Sequence, residues 1–360
     1  CPGLVVCVIT IFSLLPNSAA RPLAIPKPAV GKGFCSSMYL CVASNACAYA
    51  ARPRGMGRET RNVDALANAP IGAWGFDKRN TRFQPRSVLT TQNIDRLVLA
   101  WVFGLPDVAE VRSQPVISED TVFVSSVSGH LMALDRVRGC VKWHRRPASV
   151  IRTSLSLGEV RQRPALFFGG AGEGATTTAL GTFGQFVFAI DAETGEELWR
   201  KDVGLFRGSI LTGAIVQHVD RLIVPVSAMG VGLAMNPNYE CCKSHGAVRA
   251  LDADTGEILW TAHMTEAAKP TYKNSLGVQQ WGPSGAAVWT TPTIDSRRNL
   301  VYVGTGENTS SPASDMSDAI VAIDVLTGEI RWVYQGTKDD AFNAACLAGG
   351  PNCPKENGPD

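Results

Sequence analysis

One repeated motif constrains the fold of this chain more than any other feature of its sequence. Four segments share the pattern Ala-x-Asp, then a turn with a Gly, then a Trp eight residues after the Asp. They are residues 133–143, 189–199, 250–260 and 322–332. Their spacing is roughly one to two propeller blades' worth of chain, at about 40–50 residues per blade. Self-similarity at this scale predicts a repeat architecture.

Each copy of the motif predicts a β-hairpin. The residues before the Asp are largely apolar, as expected of a buried strand. The Asp side chain can accept hydrogen bonds from the backbone amides that follow it, and the Gly tolerates a positive φ. The returning strand ends in the Trp, whose ring would cover the neighbouring repeat. Burial of such a ring contributes several kcal/mol, at about 25 cal/mol per Å².

Short apolar strands also lie between the copies, at residues 121–125, 222–226 and 300–303. Gly- or Ser-rich turns follow them, and no long amphipathic helical pattern is present. Four short strands in each repeating unit predict an all-β fold, a β-propeller of four-stranded blades, rather than a sandwich. Another repetitive all-β fold is the alternative.

The first part of the chain differs from the rest. Residues 1–69 lack the motif and are rich in Ala, Pro and Cys, so we expect a leader and an irregular arm before a propeller domain at 70–360. Residues 4–15 form an apolar run that is too short to span a bilayer but fits the core of a signal peptide. Residues 18–20 (Ser-Ala-Ala) give a cleavage pattern, although the chain starts with Cys1 and has no basic segment before the run. A buried apolar segment is the alternative.

Cysteine usage and charge narrow the class further. Ten cysteines in 360 residues favour an oxidising compartment, and therefore a periplasmic or secreted protein. The formal net charge is only +2, without a run of Lys or Arg, which argues against nucleic acid or an anionic membrane as partner. The sequence contains no phosphate-binding loop, dinucleotide fingerprint or zinc pattern.

The repeats resemble the tryptophan-docking repeats of PQQ-dependent (quinoprotein) alcohol dehydrogenases. The segment 74–83 (WGFDKRNTRF) is similar to the start of their propeller domains. The stretches 236–246, 281–289 and 304–308 resemble the polyvinyl alcohol dehydrogenases of that family. The repeats alone are weakly specific, since non-catalytic propellers carry them, but the combination is more specific. The resemblance covers roughly 70–360 and implies an eight-bladed propeller that is truncated at its C-terminus.

The resemblance implies that PQQ oxidises an alcohol by taking a hydride. Such a reaction needs a general base near the alcohol and a Lewis acid, here Ca²⁺, on the quinone carbonyl. Asp340 is the candidate base, because it follows the fourth repeat Trp as the family's catalytic Asp does and matches better than Asp339. A dry pocket would raise the pKa of such a carboxylate. A solvated carboxylate that caps a turn is the alternative.

Glu240 and Asn308 are the candidate calcium ligands, since calcium prefers several carboxylate and amide oxygens. The family usually has Asn directly after Gly-Thr-Gly. In this chain Glu307 takes that place and Asn308 follows it, so both remain candidates. The alternative for each is a polar turn at the rim of a blade.

Other residues match the family's cofactor contacts. Adjacent cysteines, Cys241 and Cys242, can close an eight-membered ring, and in related quinoproteins a vicinal disulfide lies flat against the cofactor. Two free thiols or two separate partners are the alternatives. Trp289 matches the Trp that stacks on the other face of PQQ, although it could be a core Trp at a blade seam. Arg152 and Thr153 are weaker candidates as donors to the cofactor's carboxylates.

Two further cysteines bear on the site and its electron acceptor. Cys346 and Cys353 could form a local disulfide that staples the segment carrying Asp340, or they could be unpaired. None of the five histidines follows a Cys-x-x-Cys pair, so no c-type haem motif is present. We therefore expect a separate electron acceptor, such as a cytochrome c.

Three functions are consistent with these patterns. The first is a periplasmic or secreted PQQ- and calcium-dependent dehydrogenase of secondary alcohols, with polyvinyl alcohol as one candidate substrate. The second is a non-catalytic propeller that binds partner proteins. The third is an inactive, truncated homologue, because a fold does not by itself fix a function.

Overall fold

The structure, a computed structural model, describes residues 8–14, 89–106, 111–172, 176–178, 181–206, 208–356 and 358. Strands, turns and loops make up nearly all of these residues. The helical elements among them are one short helix, α1 (Gly230–Leu233), and two 3₁₀ turns, Ile94–Arg96 and Cys346–Ala348. No helix in the described ranges is long and apolar enough to cross a membrane.

The first two strands pair with each other. β1 (Val8–Leu14) runs antiparallel to β2 (Leu97–Gly104). Part of the apolar run predicted as a signal-peptide core therefore lies in β1. The predicted start of the propeller at Trp74 falls outside the described residues, and the division at residue 70 stays a prediction.

Four antiparallel sheets follow along the chain, and each contains one copy of the motif. We call them blades I to IV. Blade I consists of β3 (Val116–Ile117), β4 (Thr121–Ser125), β5 (Leu131–Asp135) and β6 (Val141–Arg145). Blade II consists of β7 (Val150–Ile151), β8 (Ser156–Val160), β9 (Arg163–Ala171), β12 (Phe186–Asp191) and β13 (Glu197–Asp202), with the hairpin β10 (Thr176–Thr178) and β11 (Gly181–Phe183) between β9 and β12.

Blades III and IV carry longer insertions. Blade III consists of β14 (Ser209–Ile210), β15 (Val216–His218), β16 (Arg221–Ala228), β17 (Ala247–Asp252) and β18 (Ile258–His263). The short strands β19 (Lys269–Lys273), β20 (Gln279–Gly282) and β21 (Ser284–Gly285) follow it. Blade IV consists of β22 (Thr293–Asp295), β23 (Leu300–Gly304), β25 (Ala319–Asp324) and β26 (Ile330–Gln335), with β24 (Asn308–Ser310) inserted between β23 and β25.

The spacing of the motif follows from this topology. Each interval between two motif Asp residues contains one blade, and its extra residues lie in loops. The longest loops connect the second to the third strand of a blade, or the fourth strand to the next blade. Because neighbouring strands run antiparallel, these two kinds of loop emerge at the same end of the sheets, which we call the loop face. The predicted all-β propeller class is confirmed, and the described residues account for four blades.

The motif hairpins have the predicted turn chemistry. The Asp252 carboxylate accepts hydrogen bonds from the amides of Asp254 and Thr255 at 3.0 and 2.8 Å, and Gly256 has a φ of +74°. The corresponding Asp residues of the other three copies accept the same pair of bonds.

Each motif Trp that has a following blade docks onto it. The Trp199 indole N–H donates to the Ala253 carbonyl of the next blade at 3.1 Å, and its ring lies directly over Gly256. Trp143 and Trp260 make the same contact with their next blades, and Trp101 of β2 makes it with blade I. Trp332, in the last described blade, is 45% exposed.

The core is shared between blades rather than enclosed within them. In β4, Val122 and Val124 belong to the buried cluster that contains Trp101 of β2, whereas Phe123 between them belongs to the cluster that contains Phe168 of blade II. The other blades contribute to two neighbouring clusters in the same way. Because these strands are buried on both faces, their sequences are continuously apolar instead of alternating.

Two histidine pairs lie at the loop face. The Nε2 atom of His245 is 2.9 Å from Nδ1 of His263, and the Phe206 ring packs edge-on against His245. His245 is 3% exposed; burial, assisted by the charge of His263, lowers its pKa to about 4. Burial and the charge of Arg249 also lower the pKa of His263. A similar pair joins His130 and His144 at 2.8 Å.

The first prediction concerns the docking contact. Gly256→Ala should destabilise the protein more than Gly277→Ala, by about 1–3 kcal/mol, because both residues have a positive φ but only a Cβ at 256 would overlap the Trp199 ring. A Cβ at Gly277 meets no atom within 4 Å, so that variant is the matched control for backbone strain alone. Urea unfolding measures both free energies, and equal losses would contradict the docking contact.

The second prediction concerns pH. The folded protein holds His245 neutral down to a pKa of about 4, whereas the unfolded chain protonates it near 6.5. The unfolded state therefore binds more protons between these values, and the free energy of unfolding should fall as the pH drops from about 6.5 to about 4. After solvent screening, we expect His245 to contribute ~2 kcal/mol to this loss.

The control for this pH effect is His245→Asn, because other histidines also have lowered pKa values. Unfolding curves of the two proteins, compared across the same pH range, isolate the contribution of residue 245. The free energy of unfolding should fall more steeply with decreasing pH in the wild type than in His245→Asn. Identical slopes would show that His245 is not held neutral.

Candidate functional site

Four short segments lie side by side at the loop face and bring most of the candidate residues together. We call them the strip: the segment that leads from Cys241 to His245, β21, β24, and the segment that contains Asp340 and Ala341. His245 forms a parallel bridge with Gly285, whose strand β21 pairs with β24. Asn308, the first residue of β24, forms a second parallel bridge with Ala341. The segment that follows Cys241 and Cys242, the strand that begins with Asn308 and the segment that contains Asp340 therefore lie side by side.

Cys241 and Cys242 form a disulfide, as one of the alternatives predicted, and both are fully buried. The carbonyl oxygen of Thr309 in β24 lies 3.8 and 3.7 Å from their two sulfur atoms. The Gly230 carbonyl of α1 lies 3.7 Å from the Cys242 sulfur. Backbone bonds with Trp281 hold both cysteines from the side of β20. The disulfide ring is thus packed between α1, β20 and β24.

Asn308 and Asp340 are in direct contact. The fully buried Asn308 amide donates to the Asp340 carbonyl at 3.0 Å and to the Ser317 hydroxyl at 2.7 Å. Its Oδ1 accepts a hydrogen bond from Ser314 at 2.9 Å. These contacts fix both faces of the amide and place its oxygen in the loop between β23 and β25.

The Asp340 side chain is 2% exposed, unlike the solvated turn residue that was its alternative. The end of the described chain covers it. The Ala341 amide donates to the Glu356 carbonyl at 2.9 Å, and Gly358 lies so close that an added Cβ would overlap the Asp340 carboxylate. Asp340 is thus a buried carboxylate beside Asn308.

The two glutamates lie in different surroundings. Glu240 is exposed, and its carboxylate is 2.6 Å from the Lys243 ammonium, which lowers the pKa of Glu240. Glu307 is half-buried, and its backbone carbonyl accepts from Ala286 at 2.8 Å. Within the described part of the chain, no cluster of three or more His, Cys, Asp or Glu side chains could hold a metal. Any metal here would depend on amide oxygens such as that of Asn308.

The remaining candidates lie outside the strip, one of them at its border. Trp289 is 59% exposed, and its ring edge lies beside Gly306, where an added Cβ would be 3.2 Å from Nε1. Thr153 is buried in blade II, where its hydroxyl accepts from the Gly169 amide at 2.7 Å. Arg152, next to it, is half-buried. The structure therefore joins Trp289 to the loop that holds Asn308 but keeps Arg152 and Thr153 in a neighbouring sheet.

The structure also identifies contacts that the sequence did not indicate. The amide of Asn343 donates to the Thr309 carbonyl at 2.9 Å and lies 3.9 Å from the Cys241 sulfur. Asn352 reaches the segment before Cys241 from the loop closed by the Cys346–Cys353 disulfide, which is present as one alternative predicted. Neither asparagine belongs to a recognisable motif, and the only available signals were that Asn343 follows Asp340 closely and that Asn352 directly precedes Cys353.

The chemistry of these donors fits a quinone cofactor with a metal ion. Asn308 offers a hard amide oxygen, one of the ligand types that calcium prefers, and Asp340 offers a buried carboxylate beside it that could act as a base. The exposed Trp289 ring offers a flat apolar surface on which a planar cofactor could stack. The disulfide ring, in contrast, is covered by Thr309 and Asn343.

Known proteins are similar to this chain in sequence and in fold. The chain is 37% identical over 302 residues to a polyvinylalcohol dehydrogenase of Pseudomonas sp., which covers 83% of the chain and 45% of the relative. It is 37% identical over 306 residues to a polyvinylalcohol dehydrogenase of Sphingopyxis sp. (strain 113P3), with the same coverage. A solved europium-containing methanol dehydrogenase matches with a TM-score of 0.58 at 23% identity, covering 78% of this chain and 52% of that one.

The chain spans about half the length of the curated relatives that it matches. The family follows from these relatives together with a family model. The family model described as "Glucose/ethanol/alcohol dehydrogenase, beta-propeller domain" (PQQ) matches residues 72–348, well over half of the sequence. The docked tryptophans and the all-β blades agree with that description. The chain therefore belongs to the PQQ-dependent alcohol dehydrogenase β-propeller family.

Proposed function

We propose that this chain is part of a PQQ-dependent enzyme that oxidises secondary alcohols, with polyvinyl alcohol as the substrate. The observation that carries the proposal is the contact between the buried residues Asn308 and Asp340, beside the strand that covers the Cys241–Cys242 disulfide. The 37% identity to two polyvinylalcohol dehydrogenases supports this choice of substrate.

PQQ, when bound, would supply the acceptor for the hydride of the alcohol, and a metal ion would supply a Lewis acid for the quinone carbonyl. In this proposal Asp340 accepts the hydroxyl proton of the alcohol, because Asp340 is buried and Gly358 lies against its carboxylate, which shields it from bulk water. Asn308 orients the Asp340 backbone through its amide group and offers Oδ1 to the metal. Glu240 or Glu307 would complete the ligands after a side-chain rearrangement, since Glu240 now pairs with Lys243.

The cofactor would stack on Trp289, the exposed aromatic ring beside the Asn308 loop. The vicinal disulfide would form the floor under Thr309 and Asn343. Half-buried Arg152 of blade II would provide hydrogen-bond donors to the cofactor's carboxylates, whereas the buried Thr153, whose hydroxyl pairs with Gly169, would do so only after a rearrangement. We propose Ca²⁺ as the metal, and the europium-containing relative makes a lanthanide the natural comparison.

We also propose that the enzyme works in the periplasm or outside the cell and passes its electrons to a separate acceptor, such as a cytochrome c. Two disulfides, Cys241–Cys242 and Cys346–Cys353, support an oxidising compartment. A propeller that only binds partner proteins has no need of a buried carboxylate next to a vicinal disulfide. The following test distinguishes the proposed enzyme from a propeller that only binds partner proteins and from an inactive homologue.

The third prediction is metal-dependent binding of PQQ, measured by titration of tryptophan fluorescence with Ca²⁺, with La³⁺ and without metal. We expect quenching with metal, and a loss of affinity of about tenfold or more in Trp289→Ala, because one stacking surface is removed. Trp332→Ala is the matched control, since this ring is also exposed but lies in the last strand of blade IV. If PQQ does not quench the tryptophan fluorescence of a folded sample, the cofactor assignment is wrong. The non-catalytic scaffold or the inactive homologue would then be favoured.

The fourth prediction separates binding from chemistry. Asp340→Asn should keep the PQQ affinity within a few-fold but lower kcat for a secondary alcohol by about 10²-fold or more, because it removes a general base. Turnover with polyvinyl alcohol and with short secondary alcohols is measured with an artificial electron acceptor. Undiminished turnover in Asp340→Asn would assign the base to another residue.

A further inference from the structure

We propose that Asn352 is a positioning residue, which holds the loop of the vicinal disulfide against the segment that carries Asp340. Its consequence for catalysis rests on the proposed function, but its effect on the disulfide does not. Asn352 is almost fully buried although its side chain is polar throughout. Such a group is stable only if its donors and acceptor are all satisfied.

The amide nitrogen of Asn352 binds the segment immediately before the disulfide. It donates to the carbonyls of Asn236 at 2.8 Å and Ala234 at 3.1 Å, with a longer contact to Tyr239 at 3.3 Å. Tyr239 is only two residues from Cys241. One side chain thereby fixes the course of the whole approach from α1 to the disulfide ring.

The amide oxygen of Asn352 connects the same segment to the β19–β20 hairpin. It accepts a hydrogen bond from Asn274 at 2.8 Å, and Asn274 also donates to the Pro237 carbonyl at 3.1 Å. The hairpin turn holds Asn274 in place, because its own oxygen accepts from the amides of Leu276 and Val278. Asn352 therefore lies between a rigid turn and the loop of the disulfide.

The backbone of Asn352 completes the connection to the site. Its carbonyl accepts from the Asn343 amide at 2.8 Å, and the same amide donates to Thr309, whose oxygen contacts both sulfurs. Thr309 follows Asn308, which contacts Asp340. Hydrogen bonds of Asn343, the contacts of Thr309 with the two sulfurs, and the peptide link from Thr309 to Asn308 thus connect Asn352 to the two groups of the proposed site.

The Cys346–Cys353 disulfide restrains the segment that carries Asn352. It closes a short loop with a sequence separation of seven, and Asn352 lies inside that loop. Closing the loop reduces the conformational entropy that Asn352 would lose on docking. The staple restrains Asn352, and Asn352 in turn holds the vicinal disulfide.

Substitution of Asn352 should therefore open the site locally. Asn352→Asp keeps the shape but replaces the donor nitrogen with an oxygen that faces three carbonyl oxygens. Asn352→Ala removes the amide group altogether. The loss of two or three hydrogen bonds should shift a local opening equilibrium by tenfold or more.

The experiment measures how fast dithiothreitol reduces the Cys241–Cys242 disulfide in the native protein, by thiol labelling and peptide mass spectrometry. This readout needs no cofactor. We expect the rate to rise at least tenfold in Asn352→Asp and Asn352→Ala. The rise should be smaller in Asn274→Ala, which loses the bonds of Asn274 but keeps those that the Asn352 amide nitrogen donates. In parallel, the PQQ affinity should weaken in the same order.

Ile190→Val, a core substitution in blade II far from the site along the chain, controls for general destabilisation. Its reduction rate should equal that of the wild type even if its Tm falls as much. If Asn352→Asp does not fold, Asn352→Ala and Asn274→Ala decide. Rates within twofold of wild type in the folded variants would overturn the positioning role. If the rates rise but the wild type binds no PQQ, only the proposed function fails.

Discussion

The contact between an indole ring of one blade and the hairpin turn of the next is the interaction on which the rest of the structure depends. The ring lies directly over a Gly of positive φ, so that a side chain at this position would overlap the ring. The indole N–H donates to a backbone carbonyl beside the same turn. Apolar burial and a hydrogen bond are thus combined at one point. Repetition of this contact fixes the spacing and angle of successive blades.

That geometry also determines where chemistry is possible. With the blades held by their outer strands, the loops at one end are free to lengthen without disturbing the packing. The vicinal disulfide, Asn308 and Asp340 all lie in such extensions of blades III and IV. The two-stranded sheet of β21 and β24 and the isolated bridges at Gly285 and Ala341 connect the segments that carry these residues. The site is therefore built on the blades but is not part of them.

Local features of the structure could be predicted from the sequence, and distant ones could not. The hairpin turns followed from Asp and Gly a few residues apart, and both disulfides joined cysteines close in sequence. The ion pair of Glu240 with Lys243 is similarly local. In contrast, the contacts of Asn352 with Ala234 and Asn236 join residues more than a hundred positions apart. An asparagine fits so many environments that its sequence position carries little information about its partners.

The sharing of core clusters between blades has a consequence for how such a protein can change. In β4, neighbouring residues belong to different clusters, so Phe123 must suit blade II while Val122 and Val124 must suit β2. A blade transplanted alone would carry two half-interfaces fitted to the neighbours it has left. The interface between two blades is therefore the unit that must stay matched when the sequence changes. Compensating substitutions should accumulate across these interfaces rather than within a single sheet.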